Sequence, residues 1–206
     1  MTSMTSMTSM TSITGPAPDR MPPIPKDQWT DAQKKAAAEF AAARKQEVFG
    51  PFAVMLRSPE VMLRAATMGD YMRYRTVLPP TLNEFVILIT ARHWTQQFEW
   101  DVHQPAALKA GLPPDIVNAV AEGRRPDGMS EEEAIVHDFT IELLRSRNVS
   151  DPVYAKAVAR FGEQGVIDMV GVAGYYSFLS MMMNTARTAV PANSTVPALV
   201  PLSAQL

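Results

Sequence analysis

The sequence predicts an all-α protein, a single-domain bundle of about seven helices. Three observations carry that expectation. Helix-start signatures recur along the chain, at Thr30-x-x-Gln33, Ser58-Pro59-Glu60, Thr81-x-x-Glu84, Ser130-x-x-Glu133 and Asp151-Pro152. Each supplies a capping side chain, a first-turn proline, or both. Apolar residues between them fall at helical spacing, as with Ile135, Phe139, Leu143 and Leu144. No hairpin dipeptide stands between alternating apolar residues, so strands have no foothold.

The 206 residues suffice for one domain with a real core, and they contain no cysteine. That excludes disulfides, thiolate metal sites and thiol catalysis together, and it suits a cytoplasmic protein. A formal net charge of −2 offers no electrostatic footprint for nucleic acid or an anionic membrane.

Taken in order, residues 1–29 form a disordered or extended arm. Its MTS repeat lacks the basic and apolar regions of a secretory signal. A proline-stiffened stretch follows, anchored by Ile24 and Trp29. The helical domain spans 30–190. Its first helix runs from the Thr30 cap to about Phe49 and stops at Gly50-Pro51, with a short turn over PFAVMLR. A second helix covers about 59–75 and ends before Pro79-Pro80. The next opens at Thr81-x-x-Glu84; its FVILIT run suits a strand by residue type, but the cap and the pattern's length favour helix. Pro113-Pro114-Asp115 starts a short helix to about Glu122, and EGRRPDG is turn chemistry. Helices over 131–146, 152–161 and, after a break at Gly162, 163–188 complete the bundle, and residues 191–206 form an extended tail. The apolar tract Val166–Met183 contains Asp168 and two glycines, which favours a buried helix over a membrane span. Gly171, Gly174, Ser177 and Ser180 permit close helix approach and, with the arm and tail, point to self-association.

Chemistry concentrates between Pro79 and Leu112. Glu99 and His103 are four residues apart, so on a helix they share one face. Two readings stand: a solvated helix pair, or a carboxylate that fixes the tautomer of a proton-transferring imidazole. Trp100 would supply a dry wall. Glu84 likewise has two readings, as the third residue of a capping box or as a second acid of the site. On one straight helix Glu84 and His103 would lie about 28 Å apart. If the chain folds back near Trp94, the two stand level across a gap of ~8–10 Å. The site needs that break.

Arg92 and His93, at the proposed turn, suit an anionic group or solvent. Tyr175 and Tyr176 suit a pocket wall or the core, and His137, among acids, is expected to be exposed. His93 and His103 do not have a metal-ligand spacing, so no metal is expected.

The span Glu84–Gly111, and more loosely about 45–190, resembles the carboxymuconolactone decarboxylase and alkylhydroperoxidase-D superfamily. The peroxidase branch carries a glutamate, a Cys-x-x-Cys pair and a histidine four residues beyond. Here 103 − 84 = 19 reproduces its glutamate–histidine interval, and the cysteine positions hold Gln96 and Glu99. Thiol peroxidase chemistry is therefore excluded. Glu99-x-x-x-His103 with HQPAALKAGL after it looks closer to the decarboxylase branch.

The resemblance implies an all-helical, cofactor-free homo-oligomer, a trimer or hexamer, with its site near subunit contacts. The expectation is an enzyme acting by proton transfer, such as decarboxylation, on a small carboxylated or lactone-type substrate. His103, Glu99 and Glu84 would be its catalytic residues: His103 the acid or base, Glu99 its orienting partner, Glu84 a second proton-handling group across the cleft. Gln96, Trp100, Arg92, His93 and Tyr175 are candidate substrate contacts. The rival expectation is a non-catalytic helical oligomer that serves as a binding module.

Overall fold

A computed structural model describes residues 18–202. The MTS repeat, and with it the expectation of a disordered start, lies outside the described residues, as do residues 203–206. Within them the chain forms eight α-helices and no strand: α1 Asp31–Arg44, α2 Gly50–Met55, α3 Pro59–Tyr74, α4 Pro80–His93, α5 Gln97–Lys109, α6 Pro114–Ala121, α7 Glu131–Ser146 and α8 Asp151–Ala186. The all-α expectation is borne out.

Helix α4 is the axis of the bundle. Every residue from Leu82 to Arg92 is buried, and α5, α7 and α8 pack around it. This accounts for the strand-like composition of FVILIT. A helix enclosed on all sides has no polar face to keep, so its sequence loses the amphipathic period.

The capping boxes at Thr30/Gln33 and Ser130/Glu133 form as their spacing predicts, each with both reciprocal hydrogen bonds. α1 is shorter than expected: Lys45 adopts a left-handed conformation (φ 55°) and ends it at Arg44. The segment expected to be a turn after Gly50-Pro51 is the short helix α2, held by burial of Phe52, Val54 and Met55. Gly162, at φ 68° and ψ 175°, kinks α8 where the break was expected. α8 is long and apolar enough to cross a membrane by length and composition. Met169, Val172, Ala173 and Met183 on it are nevertheless buried in the core.

The fold-back between α4 and α5 is present and has a defined chemistry. The Thr95 amide donates to Arg92 O (3.0 Å) and the Gln96 amide to Ala91 O (2.8 Å). This is the paired hydrogen bonding of a Schellman helix end, with Thr95 in the left-handed position at φ 46°. Asn184 of α8 clamps the corner, donating to Trp94 O (2.9 Å) and accepting from Gln96 Nε2 (3.3 Å). The α5 terminus uses the same hydrogen-bond pattern with Gly111 at φ 100°.

Both flanking segments lie on the bundle. Trp29 Nε1 donates to Ile24 O (2.8 Å), so the two expected anchors hold each other. The tail runs back over the fold-back, with Leu199 buried and its amide on Gln97 Oε1.

Candidate active site

The fold-back brings His103 of α5 against Glu84 of α4. His103 Nδ1 lies 2.7 Å from Glu84 Oε2, and Nε2 lies 3.4 Å from Glu99 Oε2 one turn earlier on α5. The imidazole thus sits between two carboxylates, and only 2% of the residue is exposed. The Tyr176 ring meets it edge to face at 4.9 Å. Arg73 of α3 approaches the far oxygen of Glu84 at 3.9 Å. Because the two ring nitrogens point to opposite carboxylates, the three side chains do not converge on one point. Among the described residues no metal-binding group of histidine and carboxylates forms.

Burial disfavours charge on His103. Hydrogen bonds to Glu84 and Glu99, and the charges of both, outweigh it, so its pKa is raised above the ordinary histidine value. The ring is held between two acids, an arrangement that favours its protonated form.

The open gap expected between Glu84 and His103 is closed by their hydrogen bond. The capping role weighed for Glu84 is also not the one it has. Pro79 takes the N-cap position without a side-chain cap, and the Thr81 hydroxyl turns away to donate to Ala110 O on α5. Thr81 staples the two helices and leaves Glu84 to the histidine.

One side of His103 faces a cavity of about 50 Å³, walled by Arg44, Arg73, Phe98, Glu99, Tyr175 and Tyr176, among others. Arg44 is held by Asp70 (2.6 Å) and stacks over Phe52 with its guanidinium 4.6 Å from the ring centroid. Burial pushes both tyrosine hydroxyls up, so they stay neutral phenols. Glu84 lies behind the ring, on a separate cavity of about 250 Å³ that Arg73 also lines.

Of the other sequence candidates, Tyr175 lines the cavity. Trp100 is a core residue. Gln96 is the N-cap of α5, its Oε1 accepting the Glu99 amide at 3.0 Å, so it positions the acid rather than facing the cavity. Arg92 and His93 lie at the opposite end of α4, on a different cavity of about 510 Å³. His137, expected to be exposed, is buried because α7 turns Glu133, Val136, His137 and Thr140 inward, and its ring stacks on Phe85. Arg44 and Arg73 were not singled out from sequence. They reach the cavity from α1 and α3, and nothing local marks them.

No family model matches the chain, and no curated protein does. Its fold is similar to a solved structure described as the alkylhydroperoxidase AhpD core of an uncharacterized peroxidase-related protein from Ralstonia eutropha JMP134. The TM-score is 0.68 at 14% identity, covering 89% of this chain and 98% of that one. The chain therefore has the AhpD-like all-α fold that the resemblance implied. It has that fold with no cysteine anywhere in its sequence.

Proposed function

We propose that the protein is a cofactor-free enzyme that moves a proton on a small carboxylated or lactone-type substrate, as in decarboxylation. The observation that carries this reading is the buried Glu84–His103–Glu99 relay beside a cavity that also presents two guanidinium groups. A substrate carboxylate would sit against Arg44 and Arg73. As the bond to carbon dioxide breaks, its electron pair delocalises into an enolate, and the developing carbanion takes a proton from the relay.

The geometry favours a particular division of labour. Glu84, at the shorter distance and behind the ring, fixes the tautomer and orientation of His103, as the buried acid of a catalytic triad does. Glu99 and the Nε2 side of the ring face the cavity and would exchange the proton with substrate. This is the reverse of the roles expected for the two acids from sequence.

A cavity of about 50 Å³ holds one or two waters, not a whole substrate. Admission therefore requires Phe98 and the α2 edge to move apart. Gly50 is fitted to that edge: a Cβ there would stand 2.8 Å from Phe98 Cζ.

The test is turnover on a panel of small lactones and β-oxo or unsaturated carboxylates. His103→Gln and Glu99→Gln should each lower kcat by ~10²–10⁴-fold with the helical circular dichroism retained. Unchanged turnover in both variants would refute the proposal.

The closed cavity, with both ring nitrogens engaged, favours a second reading, a binding module without chemistry. Ligand binding in that case would be insensitive to pH as it rises above the ordinary histidine value. Either reading includes self-association. Ile167, Val170, Phe178 and Met181 form an exposed apolar stripe along α8, and sedimentation would report a trimer or hexamer.

A further inference from the structure

The cavity at the other end of α4 is about ten times larger. It lies between the C-terminal ends of α4 and α7, with α6 and the tail on its other sides, and holds about 510 Å³. That is the size of a small-ligand pocket. Four arginines line it, Arg92, Arg124, Arg125 and Arg145, against two acids, Asp138 and Glu142.

Much of that charge is already engaged. Arg125 makes two hydrogen bonds to Asp138 (3.1 and 3.2 Å), Arg124 pairs with Glu122, and Glu142 accepts from Ser150. What is left over is cationic. Among the described residues Arg145 has no carboxylate within ion-pair distance. Arg92 is 4% exposed, yet among the described residues its Nε and Nη1 have no hydrogen-bond partner. Its remaining nitrogen, Nη2, donates to a single acceptor, the Val200 carbonyl of the tail, at 2.7 Å.

Helix dipoles explain why basic residues collect where α4 and α7 end. They do not explain a buried guanidinium with two unpaired nitrogens, because a basic residue answers a helix end equally well in water. A buried charge without acceptors is costly unless something supplies them. The rest of the wall combines His93, His137 and Ser146 with the apolar Ile89, Val120, Ile141 and Val153.

We propose that this cavity binds a small organic oxyanion, with its head group between Arg92, Arg145 and His93 and its apolar body against Ile89, Val120 and Ile141. The head group takes the place of the Val200 carbonyl on Arg92, so binding releases the tail from the mouth of the cavity. The shared chemistry is an oxyanion on an aliphatic body, and a carboxylate or a phosphate monoester supplies it. His93 supports the assignment, since burial and the charge of Arg145 both lower its pKa, and an anion between them would remove the second effect. The inference concerns a site separate from His103 and does not depend on the reaction there.

The test is an amide-resolved NMR titration of the full chain with hexanoate, hexyl phosphate and inorganic phosphate at constant ionic strength. Saturable shifts are expected at Ile89, His93, Ile141 and the tail residues Leu199, Val200 and Leu202, with Kd at or below about 1 mM for at least one hexyl ligand. The tighter of the two identifies the head group. Arg145→Gln, an exposed position that leaves the core untouched, should weaken binding about tenfold or more. Arg92→Met should abolish the tail shifts.

Absence of saturation by about 10 mM would overturn the proposal. So would inorganic phosphate binding as tightly as the hexyl ligands, which would mean a bare charge patch. A Kd unchanged in Arg145→Gln, or shifts confined to the His103 cavity, would overturn it as well.

Discussion

The two ends of α4 carry buried charge on opposite terms. At Glu84 the ionisable groups face one another: an imidazole between carboxylates, with a guanidinium beside one of them. At Arg92, about 12 Å further along the helix, a guanidinium is buried with one carbonyl for company. Coulomb attraction in a poorly solvated interior supports the first arrangement without outside help. The second is incomplete within the described residues. The first cluster closes on itself, whereas the second leaves donors open to a further partner.

The largest expected difference between the two ends is in stability. Removing the imidazole with His103→Ala leaves two buried carboxylates facing one another, and should cost about 3–5 kcal/mol at neutral pH in urea unfolding. Arg92→Met removes a charge that had little to lose. It gives up one hydrogen bond to the tail, worth about 1 kcal/mol, and gains from the absence of desolvation. A net change beyond about 2 kcal/mol for Arg92→Met would mean that the two ends are alike.

Next in size is Gly69→Ala, on the wall of the His103 cavity. The new methyl would stand 2.2 Å from the Tyr175 hydroxyl. The displaced ring should destabilise the protein by roughly 1–3 kcal/mol, and near-ultraviolet circular dichroism should register the change. The equivalent insertion has no such consequence at Gly174, where nothing lies within 4 Å.

The pH response should also separate the two ends. The folded pKa of His103 is raised above its unfolded value near 6.5. Its stabilising contribution is therefore complete below about pH 6.5 and fades as pH rises through the folded value. The urea midpoint should fall across that window in the native chain, and the slope should flatten in His103→Gln. His93 and His137 shift the other way, chiefly through burial, and they oppose the trend. An unchanged slope in His103→Gln would remove the imidazolium from the account.

The smallest effect lies at the corner joining the two helices. A β-branched residue at positive φ is strained, and Thr95→Gly should raise stability by about 0.5–1 kcal/mol. A loss instead would show that the threonine hydroxyl, 3.5 Å from Arg92 O, contributes more than the strain removes.

Most of the fold was legible because helix ends are written locally. Thr30, Ser130 and their partners three residues on form the caps that their spacing announces, and the polar run HWTQQ marks the corner. The pairing of Glu84 with His103 followed from counting residues on either side of that corner. Other features depend on distant partners, and no local pattern encodes them. Thr81 abandons a capping box for a carbonyl on α5. Arg44 and Arg73 arrive from α1 and α3. His137 is buried by the roll of α7 against α4, which acidic neighbours in sequence disguise. α2 went unseen because six residues give too short a period to read, and packing alone holds it.

The guanidinium of Arg73 has a consequence for the charge that the His103 cavity presents. Two carboxylates and one imidazolium would present a surplus negative charge to any anion diffusing inward. Arg73, 3.9 Å from Glu84, offsets that charge, while Arg44 is already paired with Asp70. If the proposed reaction takes place there, these two guanidinium groups are what a substrate carboxylate would meet once the cavity opens.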